Sequence, residues 1–389
     1  MGKTEKMGIN TICAHVGEIK DEQFKGAISP LYMSSSYAYE NVDVKRYPRY
    51  FNTPNQEALG KKIAALEHTE AGMIFGSGMA AVSHCLLAFL QKGDHIVLPK
   101  TLYGGTYNFV VEEFAKFGIE YTFADGFREA DFRKALQKNT KVLYVETPSN
   151  PLMLITDLRM IANLAKEHKL VSMIDNTFAS PINQNPADFG IDIMIHSATK
   201  YMGGHSDICA GAVAASEAHM LRIWNLSKNI GGSLSDYTVW LLERSLKTMA
   251  LRVKAQNRNA KRMAKWLQNH ALVKKVHYPG LKDHPDYELA KRQMKGYSGM
   301  LSFELIPSVN AEAFMQALKL IKQSMSLAGV ESTILSPAKT SHGLLTPEAR
   351  AHQGISDGLL RFSVGIEEKK DLIADIEQAF KAVAKKELV

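Results

Sequence analysis

Short apolar runs alternate with segments of helical periodicity along most of this chain. The runs are Met73-Ile74-Phe75, His95-Ile96-Val97-Leu98, Lys141-Val142-Leu143-Tyr144-Val145, Val171-Ser172-Met173-Ile174, Ile191-Asp192-Ile193-Met194-Ile195 and Gly211-Ala212-Val213-Ala214. Between them, Leu158–His168 places Ile161, Leu164 and Ala165 on one helical face. Thr53-Pro54-Asn55-Gln56 reads as a capping box with proline at the first helical position, and Leu59, Ile63 and Leu66 follow on one face. A helix over 54–67 is therefore predicted. Strand and helix patterns in alternation predict an α/β fold with a mostly parallel central sheet and helices on both faces. Ligands of such folds collect beyond the carboxyl ends of the strands.

The pattern divides the chain. Residues 1–52 show little periodicity and carry the exposed-looking aromatics Tyr32, Tyr37, Tyr39, Tyr47 and Tyr50, which predicts an N-terminal arm. A large domain over 53–255 holds the alternating pattern. A long polar helix pattern with Arg252, Lys254, Arg258 and Arg262 leads to Tyr278-Pro279-Gly280. A strand over 301–306 and helices over 311–322 and 370–381 then predict a smaller C-terminal α/β domain over 256–389. The total of 389 residues suits two domains rather than one core.

Composition narrows the class without giving the job. With 46% hydrophobic and 22% charged residues, the chain is an ordinary globular one. The net charge of +7 is spread in pairs such as Lys61-Lys62, Lys274-Lys275 and Lys385-Lys386, with no basic block, so no nucleic-acid partner is expected. Cys13, Cys85 and Cys209 are widely spaced and include no C-x-x-C pair, which predicts reduced thiols, no zinc ribbon and no metal site. His196, His205 and Cys209 fit no common metal spacing. The first fifteen residues lack an apolar signal core, and no window predicts a membrane span; a cytoplasmic location is the expectation.

Candidate chemistry clusters at the predicted strand ends. In Ile195-His196-Ser197-Ala198-Thr199-Lys200-Tyr201 a lysine stands behind two hydroxyl residues, and Asp175 closes the apolar run before it. An amine for a Schiff base, donors for a phosphate and an acid facing a ring nitrogen are what pyridoxal phosphate asks of a protein. Gly76-Ser77-Gly78-Met79-Ala80-Ala81 follows a strand and opens a helix, formally matching the dinucleotide pattern G-x-G-x-x-A. That pattern also wants an acid closing the next strand; here Asp94 precedes the strand and Lys100 follows it. A lone phosphate needs only the exposed amides and the helix dipole. Tyr103, in Leu102-Tyr103-Gly104-Gly105-Thr106, stands where a ring can stack on a planar cofactor or simply pack, and Glu146-Thr147-Pro148-Ser149-Asn150-Pro151 is a rigid strand exit or a plain turn.

Taken in order, Tyr47-Pro48-Arg49, Ser77-Gly78-Met79, the Tyr103 segment, the Glu146 to Pro151 turn, Asp175-Asn176-Thr177, Ser197 to Tyr201, Gly204-His205-Ser206-Asp207 and Leu360-Arg361-Phe362-Ser363-Val364-Gly365 form a recognisable series. Over nearly its whole length the chain resembles the pyridoxal-phosphate-dependent enzymes of cysteine and methionine metabolism, which include cystathionine γ-lyase, β-lyase, γ-synthase and methionine γ-lyase. The resemblance implies the fold type I, transferase-like architecture. It implies that Lys200 carries the cofactor and shuttles protons, that Asp175 pairs with the ring nitrogen, and that Tyr103 stacks on the ring and assists proton transfer. It further implies a phosphate held by Gly78, Met79, Ser197 and Thr199, with Tyr47 and Arg49 reaching in from a neighbouring subunit of a homotetramer. Arg361, with Asn150 and Ser332, is expected to grip the substrate α-carboxylate.

Within that family, methionine γ-lyases usually have cysteine where this chain has Gly105. Glu331 matches an acidic position of cystathionine lyases and is expected to meet the distal amino group of cystathionine; the expected partner is a small-molecule sulfur amino acid substrate. Phe51 to Asn55 is one residue longer than the usual segment, and Arg46 replaces a glutamate of mammalian γ-lyases. The expected activity is carbon-sulfur cleavage of cystathionine, with γ-cleavage ahead of β-cleavage and γ-replacement on an activated homoserine as the alternative.

Overall fold

The computed structural model describes residues 7–340, 350 and 354–386. Seven strands, β1 (Ala71–Phe75), β2 (His95–Pro99), β3 (Glu120–Ala124), β4 (Thr140–Glu146), β5 (Val171–Asp175), β6 (Ile193–Ser197) and β7 (Gly211–Ala215), form the larger sheet in the order β1-β7-β6-β5-β4-β2-β3. Four of its six pairings are parallel, and β7 runs antiparallel to both of its neighbours. Alternate residues of these strands enter two separate cores. Val97, Leu143, Val145, Ile174, Met194 and Ala212 face one, while Ile96, Leu98, Val142, Tyr144, Met173 and Val213 face the other. Burial on both faces explains why the strands read as continuous apolar runs. The Thr53 capping box is present, with Gln56 N 3.3 Å from Thr53 Oγ1 and Thr53 N 3.1 Å from Gln56 Oε1, and it opens the helix Pro54–Glu67.

A second sheet, in the order β10-β11-β12-β9-β8, comprises β8 (Val273–His277), β9 (Met300–Leu305), β10 (Lys322–Gln323), β11 (Thr333–Leu335) and β12 (Leu359–Ser363). One face is covered by the helices Met249–Gln268, Ala311–Ala317 and Lys369–Lys386 through Met263, Leu267, Phe314, Ile376 and Phe380. The helix predicted over 311–322 stops at Ala317 for a tertiary reason. Asp375 accepts the backbone N–H groups of Lys319, Leu320 and Ile321 at 2.8, 3.0 and 2.8 Å, which draws the chain away from helical geometry and into β10. The two sheets meet at Tyr201, whose hydroxyl lies 2.9 Å from Ser298 Oγ and accepts Gly299 N at 2.9 Å.

The arm contains a helix, Ile9–His15, that periodicity did not predict and that seats Cys13 in the main core. Farther on, Ser29 donates to the buried Glu243 at 2.9 Å and its carbonyl accepts the Trp240 indole N–H at 2.9 Å. On either side of Ser29 the arm leaves Phe24, Met33 and Tyr39 65–79% exposed. Residues 1–6, part of the stretch read for a signal core, lie outside the described residues. Among the described residues no helix is long and apolar enough to cross a membrane.

Candidate active site

The carboxyl ends of β4, β5 and β6 bring acids and an amine together. Glu146 and Asp175 close β4 and β5 as ladder partners, both buried. Asp175 Oδ1 accepts Thr177 N at 2.9 Å, and Thr177 Oγ1 in turn accepts Ser197 N at 2.8 Å, tying the acid to the segment that leads to Lys200. Burial raises the Asp175 pKa, and the Thr177 hydrogen bonds, His196 and Lys200 work against that rise. Burial raises Glu146 well above the usual carboxylate range, and the Asp175 charge adds to it. Among the described residues neither carboxylate has an ion-pair partner.

After β6 the chain turns tightly. Thr199 Oγ1 accepts Ala210 N at 3.0 Å and donates to Ala210 O at 3.2 Å, and Lys200 N donates to Ser197 O at 3.1 Å. The buried Arg252 braces the next residues by donating to Tyr201 O and Ser245 O, each at 2.9 Å. Lys200 Nζ donates to Ser326 Oγ at 2.6 Å. Its pKa falls to about 8, first through burial and then through the Arg361 charge, so neutral amine is plentiful near pH 8.

Facing this turn is the N-terminus of the helix Gly78–Phe89, capped by Ser77 Oγ accepting Ala80 N at 3.0 Å. A Cβ on Gly78 would lie 2.8 Å from Ser197 Cβ and 3.0 Å from its Oγ. Only glycine lets the helix amides of Gly78 and Met79 come this close to the Ser197 hydroxyl. Tyr103 stands beside them, about half exposed, with its N–H donating to Glu146 Oε2 at 2.7 Å. A Cβ at Gly105 would meet the Tyr103 ring at 2.6 Å and the Met79 sulfur at 3.0 Å.

Opposite, Arg361 extends from β12, buried, and donates to Asn150 Oδ1 at 3.2 Å and Ser326 O at 3.0 Å. Burial lowers its pKa to about 10, which leaves it cationic at neutral pH. Ser332 is not brought to this group. Its hydroxyl donates to Glu367 at 2.9 Å and accepts Gly365 N at 2.9 Å. Glu331 accepts the Ser206 hydroxyl at 2.5 Å and forms no ion pair among the described residues. Tyr47 and Arg49 sit elsewhere, with Arg49 over the Tyr47 and Tyr50 rings and bonded to Lys228 O. Arg46 is engaged by Glu57 at 2.8 Å and by Asn52 O. His196 pairs with the buried Glu67 at 2.5 Å and His205 bonds Gly203 O at 2.8 Å. Among the described residues no three potential ligands are grouped to hold a metal ion.

Two residues of this cleft were not singled out from the sequence. Thr177 lay inside a recognised motif, and its two-residue offset from Asp175 was the available signal. Ser326 lies six residues before Ser332, on a loop where Ser326 and Ala328 have φ of 70° and 65°, and nothing local announces that backbone.

Helix amides and a hydroxyl for phosphate, a buried carboxylate for a ring nitrogen, and an amine with a depressed pKa fit pyridoxal phosphate group by group. The fold and this set of groups are those of a pyridoxal-phosphate-dependent enzyme. Within that class, the chain belongs to the Cys/Met metabolism PLP-dependent enzyme family, whose model matches residues 10–381. It is 41% identical over 377 residues to cystathionine gamma-lyase of Bacillus subtilis (strain 168), covering 96% of this chain and 99% of that protein. It is 40% identical to cystathionine beta-lyase of Lactococcus lactis subsp. cremoris (strain MG1363), covering 93% and 96%. The crystal structure of cystathionine gamma-lyase from Lactobacillus plantarum complexed with L-serine superposes with a TM-score of 0.93 at 40% identity, covering 97% of this chain and 100% of that one.

Proposed function

We propose that this enzyme is a carbon-sulfur lyase that cleaves cystathionine, with γ-cleavage to cysteine, 2-oxobutanoate and ammonia preferred over β-cleavage. The observation that carries the substrate choice is Glu331. Its carboxylate is fixed by Ser206 at 2.5 Å and has no cationic partner among the described residues, so it offers a site for a distal ammonium group. Gly105, where a side chain would press on Tyr103, separates the chain from the usual methionine γ-lyase pattern.

Pyridoxal phosphate supplies the electron sink that makes loss of the α-proton feasible. Lys200 would hold it, and Gly78, Met79, Ser197 and Thr199 would bind its phosphate. Asp175 would place a negative charge against the ring nitrogen. Arg361 and Asn150 orient the substrate α-carboxylate; Ser332, committed to Glu367 and Gly365, takes no part in that grip. Lys200 Nζ, with a pKa near 8, takes the Cα proton, a step worth about 10²- to 10⁴-fold for a placed base. Tyr103 would stack on the ring and assist proton transfer.

The exposed Tyr47 and Arg49, together with the uncovered apolar arm at Phe24, Met33 and Tyr39, support a homotetramer in which each arm completes a neighbour's phosphate site. Three free cysteines support a reducing, cytoplasmic setting. The test is the identity of the keto acid released from cystathionine by purified, cofactor-loaded protein. 2-Oxobutanoate with cysteine supports the proposal. Pyruvate with homocysteine makes the enzyme a β-lyase, and net synthesis of cystathionine from cysteine and an acyl homoserine makes it a transferase.

A further inference from the structure

Glu146 is a buried acid at the centre of the cleft to which the reaction above gives no part. Its surroundings are specific. Oε2 accepts the Tyr103 N–H at 2.7 Å, and Glu146 itself opens the turn that carries Asn150, whose backbone N–H works against the rise in its pKa. Asp175 is its ladder partner on β5, and Arg361, which donates to the Asn150 side chain, is its nearest cationic influence. It is 4% exposed, so these bonds are made away from water.

We propose that Glu146 is a positioning residue that locks the Tyr103 loop and the Asn150 turn into one frame, so that a ring stacked on Tyr103 and a carboxylate held by Asn150 and Arg361 are kept in fixed register. This rests on the pyridoxal-dependent reading of the site given above. The residue type follows from the geometry. The Tyr103 N–H from one loop meets Oε2, the Asn150 N–H faces the group from the turn after β4, and a carboxyl presents an oxygen to each. Glutamine has nearly the same shape but only one acceptor oxygen, and its amide nitrogen would confront one of the N–H groups donor to donor. A side chain that merely filled space would be replaced by glutamine at little cost; one that must accept twice would not.

Glu146→Gln and Glu146→Ala, prepared as cofactor-loaded protein, separate these roles. Three quantities are read: the visible circular-dichroism band per bound cofactor, which reports how the ring is held, KM and kcat on cystathionine, and the thermal midpoint. The expected result is a graded loss. Glutamine weakens the band and lowers kcat/KM about 10- to 100-fold, the scale of a buried donor left unpaired, and alanine lowers it further. KM rises and kcat falls together, because both the carboxylate grip and the stacked ring are displaced. A Glu146→Gln or Glu146→Ala protein whose band per bound cofactor and KM lie within twofold of wild type overturns the proposal, even if its thermal midpoint falls, since space-filling or stability alone would then be at stake. A wild-type protein with no cofactor band overturns the reading of the site itself, which keeps the two failures apart.

Discussion

Replacing Gly78 with alanine tests the phosphate cradle without relying on turnover. The added methyl carbon would sit 2.8 Å from Ser197 Cβ, 3.0 Å from its Cα and 3.0 Å from its Oγ. Ordinary carbon contacts begin near 3.4 Å, so the helix N-terminus and the β6 exit must separate by about 0.6 Å (3.4 − 2.8). Neither side yields easily. Ser77 caps the helix through Ala80 N, and Ser197 N is held by Thr177. Overpacking of this kind costs about 1–3 kcal/mol. If that strain falls on the cofactor-bound state, the Kd for pyridoxal phosphate rises about 5- to 150-fold. Titration of cofactor-free wild type and Gly78→Ala by absorbance and intrinsic fluorescence measures it, with inorganic phosphate as competitor. Phosphate should compete less well in the variant. Equal Kd values within twofold, and equal competition, would refute the argument that these amides and Ser197 form the cradle.

Other outcomes follow from the same geometry. Asp175→Asn preserves size but removes the buried charge, and kcat should fall roughly 10²- to 10³-fold with far-ultraviolet dichroism unchanged; an unchanged kcat would remove Asp175 from the ring-nitrogen role. Arg361→Lys keeps a cation yet loses the fork that reaches Asn150 Oδ1 and Ser326 O, so KM should rise about 10- to 100-fold with a smaller change in kcat, measured by steady-state kinetics. Lys200 is held near pKa 8 in the fold against an ordinary value of 10.5. The fold therefore binds its proton more weakly than the unfolded chain does, and its penalty is complete below about pH 8 and relieved as pH rises toward 10.5. Thermal midpoints of cofactor-free wild type should accordingly gain on those of Lys200→Met across that window, and parallel curves would contradict the shift.

Much of this site was legible because pyridoxal chemistry demands residues of distinct type at strand ends. Asp175 closes an apolar run, and Lys200 follows another behind two hydroxyl residues, so pattern and chemistry coincide there. The capping box at Thr53 and the Leu158–His168 helix were legible for a local reason, since side chain and backbone meet within one turn. What escaped depends on distant contacts. β3 is an edge strand only partly buried, so its sequence Glu-Tyr-Thr-Phe-Ala carries no apolar run. The early stop of the 311–322 helix depends on Asp375, more than fifty residues away. Ser326 and Ser332 are chemically alike, and only the loop path decides that Ser326 meets Lys200 and Arg361 while Ser332 meets Glu367.

The most direct test of the account is to find which residue carries the cofactor. Cofactor-loaded protein would be reduced with borohydride, digested, and its peptides mapped by mass. The account predicts a single pyridoxyl adduct on Lys200, absent from Lys200→Ala, which should stay folded and lose turnover. An adduct on another lysine, or steady turnover of a sulfur amino acid by Lys200→Ala near the wild-type rate, would contradict it.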